Sequence, residues 1–391
     1  LERSEGWPLA VLSNLMEEID HMVKILKSPS KYIQGEGILS HFGDYMQGMG
    51  QRLLVIVSAN GMARIGEMLK VGAAKCGLEL EFVLFSGECT RVKIQQYAQQ
   101  CRDRNLTAVM GVGGGKILDT AKGTAHEAGL PMVIVPTVCS SDSPCSSLSV
   151  LYDDQGVFDA YLYLNACPNI VMVDTRIIAQ SPARFLVAGM GDAMATWFEA
   201  RACLRSQSNN QVGGRPSLAG TGLAAMCWKY LQENGLAAKQ AVEQGVCTPA
   251  LENIIEVNTY LSSIGFESGG LAAAHGIQKG FTAIPALHRA LHGELVAFCT
   301  VTQLVLENAA KSELETVLAF CESVGLPICF ADMGYEPQQE EIAACAEKAC
   351  RPGSTIYHLD REIIPQQVAD ALMAADAIGS AYKKHDKNSL I

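Results

Sequence analysis

Residues Thr107–Lys122 read TAVMGVGGGKILDTAK. A short apolar run enters three consecutive glycines, and residues with helical spacing follow at once. A continuous apolar run of this length, closed by glycine, is the pattern of a buried strand. Strand, glycine turn and helix in immediate succession are the unit from which covered parallel sheets are built. Towards the N-terminus, RLLVIV (Arg52–Val57) is another such run, followed by Ser58-Ala59-Asn60-Gly61, and residues 62–75 carry apolar side chains at helical spacing. LEFVLF (Leu80–Phe85) and the stretch Val92–Arg104 repeat the strand–helix alternation. Towards the C-terminus, MVIV (Met132–Val135) and IVMVD (Ile170–Asp174) are predicted strands, the latter the last. Ser147–Tyr163, with Asp153-Asp154-Gln155-Gly156 between two apolar stretches, is predicted as a hairpin.

After Ser181-Pro182 the texture changes to long Ala- and Leu-rich stretches with few β-branched clusters. The expected organisation is therefore an α/β domain over residues 22–181 and an all-α domain over 182–391. Residues 1–21 begin at Leu1 and lack a basic segment before their short apolar stretch. They are set aside as a native extension or an appended remnant.

With 391 residues, 49% of them hydrophobic and 18% charged, the chain can fill two cores. The net charge of −11 argues against a nucleic-acid partner, which would need a basic face. No apolar run approaches the roughly 20 residues of a membrane-spanning helix. The fourteen cysteines form no CxxC pair, and several lie in apolar runs, such as Cys227 in AAMCWKY and Cys299 in VAFCTV. There cysteine acts as a small hydrophobe, so reduced thiols and a cytoplasmic location are expected.

The glycine loop Gly111–Lys122 is neither of two familiar phosphate fingerprints. No glycine stands five residues before Gly115, and Ile117 follows Lys116 where a P-loop has Ser or Thr. Lys116 also takes the third glycine position of G-x-G-x-x-G. A tight βα turn would use such glycines too, but three of them plus a lysine at a helix start favour a phosphate cradle of another type. A second loop, PTVCSSDSPCSS (Pro136–Ser147), crowds hydroxyls around Asp142 at the end of a strand. Ligands of α/β sheets gather at that end, although Ser, Asp and Pro are also ordinary turn residues.

Asp192, in AGMGDAMATWFEA, is a carboxylate in an Ala-rich helix, and His275 and His292 lie in apolar, small-residue surroundings. Unpartnered polar groups are costly there. One carboxylate and two imidazoles with an open position would suit a catalytic zinc ion. Each could equally be a hydrogen-bonded core residue, and spacings of 83 and 17 residues match no short metal signature. Both readings stand on the residues alone. His288 and Arg289 are read as surface or rim.

GVGGGKILDTAK, PTVCSSDSPCSSLSV, AGMGDAMATWFEARAC, GFESGGLAAAHGI and LHGELVAF resemble, in order and spacing, the bacterial glycerol dehydrogenase family. That family lies within the iron-containing alcohol dehydrogenase and dehydroquinate synthase-like superfamily, and the likeness runs from about Met22 to about residue 380. It implies a Rossmann-like parallel sheet plus a helical domain, the dehydroquinate synthase-like fold. It also implies zinc held by Asp192, His275 and His292, which would be the catalytic set and touch substrate. NAD would lie along Gly114, Gly115, Lys116 and Asp119, with Thr137, Ser140, Ser146, Leu148 and Tyr152 completing its cleft. Asp142 would hold a substrate hydroxyl. Iron-type relatives carry a histidine four residues after the aspartate; here that position is Thr196, which favours zinc. The family's usual aspartate at the end of RLLVIV, which takes the adenosine ribose and disfavours NADP, is replaced by Ser58.

The implied activity is NAD-dependent, zinc-assisted oxidation of glycerol to dihydroxyacetone, reversible and extending to 1,2-diols, by a homo-oligomer of a family that tends to octamers. The implied partner is a small polyol, with no nucleic acid and no membrane. The rivals on the same fold are a dehydroquinate synthase-like lyase and a glycerol-1-phosphate dehydrogenase. Both handle phosphorylated substrates and call for several Lys or Arg, whereas only Lys279 and Arg289 flank the histidines.

Overall fold

The computed structural model describes residues 23–389, so the expectations for residues 1–21 lie outside the described residues. Strands β1 (Lys31–Gly35), β2 (Arg52–Ser58), β3 (Glu79–Phe85), β4 (Ala108–Gly113), β5 (Met132–Pro136) and β8 (Ile170–Asp174) form one sheet. Their order is β1-β8-β5-β4-β2-β3, and every pairing is parallel. Helices α1 (Ala59–Lys75), α2 (Arg91–Asp103) and α3 (Gly115–Ala128) cross between strands, and α4 (Thr175–Ala179) leaves the last one. The interior strands are buried almost throughout, which is why they read as unbroken apolar runs.

The edge strand β1 was not anticipated. KYIQG is short and mixed in polarity, and it becomes a strand by pairing with β8 along its whole length. The predicted hairpin is present as antiparallel β6 (Leu148–Tyr152) and β7 (Phe158–Tyr163). Its inner face, with Leu151 and Leu162, packs on Cys89 and Ile94. Leu148, Val150 and Tyr152 pair with Tyr163, Tyr161 and Phe158 and share the opposite face.

From β2 the chain goes to β3 on one side and from there crosses back to β4 on the other side of β2. The crevice beyond the carboxyl ends of β2 and β4 is thus the topological switch point, where such sheets bind ligands. Ser58 and Gly113 mark its two walls.

From Ala183 onward the chain is helical: α5 (Ala183–Ser206), α6 (Leu218–Glu243), α7 (Pro249–Glu256), α8 (Ser262–Gly269), α9 (Ala273–Gly280), α10 (His292–Leu306), α11 (Lys311–Val324), α12 (Gln339–Ala349) and α13 (Pro365–Ser389). A π-helical turn, Val257–Leu261, joins α7 to α8. One core fills the sheet face under α1, with Phe42, Leu53, Val55 and Leu69. The other starts at Leu54 and Ile56 and continues through Phe198, Phe298 and Phe330. Among the described residues no helix is long and apolar enough to cross a membrane.

Glycines set the closest approaches. A Cβ on Gly293 would run into the Ala188 carbonyl, and one on Gly191 into the Gly293 carbonyl. On Gly189 it would meet the Cys139 carbonyl and the Asn258 amide. Helix α5, helix α10 and the loop after β5 are therefore in backbone contact beside Asp192 and His292.

Candidate metal and dinucleotide site

Asp192 on α5, His275 on α9 and His292 at the start of α10 converge, each offering a ligand atom within 4.8 Å of the others. Asp192 is fully buried, His275 nearly so, and His292 is 44% exposed. Both Nε2 atoms face the same carboxylate oxygen: Asp192 Oδ1 lies 3.3 Å from that of His292 and 3.5 Å from that of His275. Neither nitrogen is in hydrogen-bonding geometry, so this buried oxygen has no hydrogen-bond partner. A buried, unsatisfied carboxylate oxygen calls for an explanation, and a role as a cation ligand supplies one. Two imidazoles and one carboxylate, with His292 open to solvent, are the donor set of a catalytic divalent-metal site. The residues fit the group.

The other ends of these ligands are held. Glu199, two turns after Asp192 on α5, is fully buried and lies 2.5 Å from His275 Nδ1 through Oε2. Its Oε1 accepts from the backbone N–H groups of Ala272 and His275, at 2.8 and 2.9 Å. Asp192 Oδ2 accepts from the Asp142 N–H at 3.2 Å. Burial opposes charge on Asp192, but the two imidazoles outweigh it and hold its carboxyl below the usual range. Burial also lowers His275, yet Glu199 and Asp192 prevail and raise it to about 10. A cation that replaces a proton between these carboxylates would meet the same favourable field. Thr196 instead donates to or accepts from Ser262 Oγ at 2.8 Å.

Asp142 stands beside this cluster. Its Oδ2 accepts from Ser262 Oγ at 3.2 Å, and its carbonyl accepts from Ser263 Oγ. Asn258, in the π turn, donates to the Cys139 carbonyl at 3.2 Å and the Leu186 carbonyl at 3.0 Å. The π turn thus clamps the serine loop against α5. Burial, and then the Asp192 carboxylate, push the Asp142 carboxyl well above its ordinary value.

The glycine loop opens on the switch-point crevice. Helix α3 begins without a side-chain cap, and a Cβ on Gly115 would meet nothing within 4 Å. Open space in front of uncapped N–H groups fits a pyrophosphate. The Thr137 N–H donates to the Gly113 carbonyl at 3.0 Å, which sets Thr137 beside the glycine loop, with Ser140 three residues further along the same chain segment.

Other expected cofactor residues are less free. Lys116 Nζ lies 2.6 Å from Glu88 Oε1, so its charge already has a partner. Asp119 accepts from Ser143 Oγ at 2.9 Å and the Val150 N–H at 3.1 Å, and pairs with the wholly buried Lys122 at 2.9 Å. Lys122 also donates to Ser146 Oγ and to the carbonyls of Ser143 and Leu148. Asp119 and Ser146 therefore brace the walls of the cleft from within. Leu148 and Tyr152 lie on the outer face of the hairpin. His288 and Arg289 are exposed.

Three residues of the site were not singled out from sequence: Glu199, Lys122 and Glu267. Glu267 accepts from Ser147 N–H and Oγ at 2.8 and 2.9 Å. Each is a charged residue in a stretch that the fold buries, and for Glu199 the apolar neighbours Phe198 and Ala200 were the available signal.

A model of the family described as iron-containing alcohol dehydrogenase matches residues 29–175. A glycerol dehydrogenase of Escherichia coli O6:H1 is 47% identical over 362 residues, covering 92% of this chain and 99% of that protein. A glycolaldehyde reductase of Halobacterium salinarum is 41% identical, over 92% of this chain and 98% of its own. The crystal structure of glycerol dehydrogenase from Schizosaccharomyces pombe superposes with a TM-score of 0.90 at 35% identity, covering 94% of this chain and 93% of that one.

Proposed function

The chain belongs to the iron-containing alcohol dehydrogenase family of oxidoreductases, and from that premise we propose that it interconverts glycerol and dihydroxyacetone with NAD and a zinc ion. The observation that carries this reading is the buried Asp192 Oδ1, faced by two imidazole nitrogens and satisfied by neither. Asp192, His275 and His292 would hold the metal. When bound, the metal supplies Lewis acidity to the carbinol oxygen and NAD supplies the hydride acceptor.

The protein's own part is placement. Glu199 fixes the ring of His275 from behind, and the backbone contacts at Gly191 and Gly293 fix the helices that carry Asp192 and His292. Asp142, beside the cluster and held by Ser262 Oγ, would take a second hydroxyl of the substrate. The crevice between Gly115 and the hairpin face of Leu148 and Tyr152 takes the dinucleotide, and holding both reactants in one cleft supplies much of the rate by proximity. Thr196, engaged with Ser262, adds no fourth side-chain nitrogen, which supports zinc over iron. NAD remains the proposed dinucleotide; Ser58 caps α1 by accepting from the Gly61 N–H at 3.0 Å and puts no carboxylate at the end of β2.

The phosphorylated-substrate rivals fare worse. Lys279 is a single cation near the histidines, and Arg289 lies at the exposed surface. In a His275→Ala variant, bound zinc and glycerol-dependent NAD reduction should disappear together. Metal analysis and a substrate panel with NAD and NADP test this, and an active metal-free variant would overturn the assignment.

A further inference from the structure

Lys279 stands on α9 one helical turn after His275. Its Nζ rests 4.9 Å from the centroid of the Tyr161 ring. Tyr161 pairs with Val150 and so shares the hairpin face of Leu148 and Tyr152, the face turned from the Leu151–Ile94 packing. Lys279 therefore ties the helix of His275 to the hairpin face that carries Leu148 and Tyr152.

The cation has no ion-pair partner among the described residues. The acid that acts on it is Glu199, whose oxygens are already taken by His275 and two backbone N–H groups. A half-buried ammonium leaning on an aromatic ring is under-compensated, because a cation–π contact recovers only part of its lost hydration. Burial accordingly lowers its pKa, with Glu199 opposing. A positive charge kept there is of no use to an uncharged polyol.

We propose that Lys279 forms a carboxylate subsite beside the reaction centre, so that the enzyme also interconverts 2,3-dihydroxypropanoate and 3-hydroxy-2-oxopropanoate. This rests on the dehydrogenase reading above. A carboxylate takes the place of one CH2OH group of glycerol, and the neighbouring hydroxyls are retained. The carbinol C–H breaks and its hydrogen leaves with the bonding electrons to the oxidised dinucleotide, while the hydroxyl proton goes to solvent. The C–O bond becomes a carbonyl, and the carboxylate is unchanged. One lysine suits a monoanion, whereas a phosphate dianion calls for more than one cation.

The test compares reduction of 3-hydroxy-2-oxopropanoate with reduction of dihydroxyacetone by NADH, in the zinc-loaded wild-type protein and in Lys279→Met and Lys279→Arg. The ratio of kcat/KM for the oxo acid to that for the ketone should fall roughly tenfold or more in Lys279→Met, mainly through KM, and recover in Lys279→Arg. Calorimetric binding of the oxo acid without cofactor should weaken by a similar factor. A ratio unchanged in Lys279→Met, or no turnover of the oxo acid by a wild-type protein that reduces dihydroxyacetone, overturns the subsite. Failure of the wild-type protein to reduce either compound instead overturns the dehydrogenase reading, and the subsite with it.

Discussion

Glu199 shows how a single buried charge can decide the quality of a metal site. Its carboxylate has three partners, and one of them is the far nitrogen of His275. A histidine so held presents Nε2 in a fixed direction and with raised basicity, and loss of such a partner typically weakens metal binding ten- to a hundredfold. Glu199→Gln keeps the size and some of the hydrogen bonds but removes the charge. Its zinc affinity, measured by competition with a chromophoric chelator, should fall by about that factor, and the metal-free protein should unfold at lower temperature because the buried His275 loses its charge partner. An affinity equal to wild type would mean that Glu199 serves only the α5–α9 contact. Sequence made Asp192, His275 and His292 visible as candidates through their apolar settings, but only the resemblance favoured ligands over core residues, because ligands scattered over three helices leave no local spacing to read. Glu199 lay in the same quoted stretch, and its seven-residue offset from Asp192 puts both on one helix face. A glutamate set between Phe198 and Ala200 in an apolar helix was the clue.

At the level of elements, the site depends on helices that touch backbone to backbone. Gly293 follows His292 directly, and a Cβ there would press on the Ala188 carbonyl, which has no flexible end to swing aside. Gly293→Ala should therefore force α10 away from α5, and overpacking of this kind costs about 1–3 kcal/mol or more. Gly222→Ala on α6 is the matched control: its Cβ would meet nothing within 4 Å, and helix propensity favours it by up to about 1 kcal/mol. Chemical denaturation should move the two variants in opposite directions, with zinc affinity lost only in Gly293→Ala. Equal, small shifts would show that the helix crossing has slack. Elements were read well from sequence where burial is two-sided, as in RLLVIV, TAVMGV and IVMVD, because two-sided burial demands unbroken apolar runs. Lys31–Gly35 escaped because an edge strand takes its structure from β8 rather than from its own pattern. The π turn Val257–Leu261 escaped because one extra residue in a helical turn leaves almost no trace in apolar spacing.

Across the whole molecule, the cysteines set a limit on alkaline stability. All fourteen are free, and all except the exposed Cys76 and half-buried Cys247 are buried. Burial, joined in some cases by neighbouring negative charge, raises buried thiols: Cys89 and Cys139 from 9.0 to about 12, Cys101 to about 11 and Cys345 to about 12. The folded chain then keeps protons that the unfolded chain gives up above pH 9, so stability must fall as pH rises. Their contribution is intact below the ordinary thiol value and drains away as pH climbs from 9.0 towards about 12. Each such group removes about 1.4 kcal/mol per pH unit within that window, so four remove roughly 5 kcal/mol per unit, against a total stability of about 5–15 kcal/mol. Urea midpoints should hold steady up to pH 9 and then fall steeply, and once Cys76 has been blocked by a thiol reagent the ultraviolet thiolate absorbance of the buried cysteines should rise together with unfolding rather than ahead of it. At neutral pH a thiol reagent should find one fast equivalent, Cys76. Thiolate absorbance that climbs near pH 9 in the Cys76-blocked protein while the helical signal is intact would mean that water reaches the buried thiols in the folded protein. The core that joins the sheet to the helices would then be looser than its packing implies.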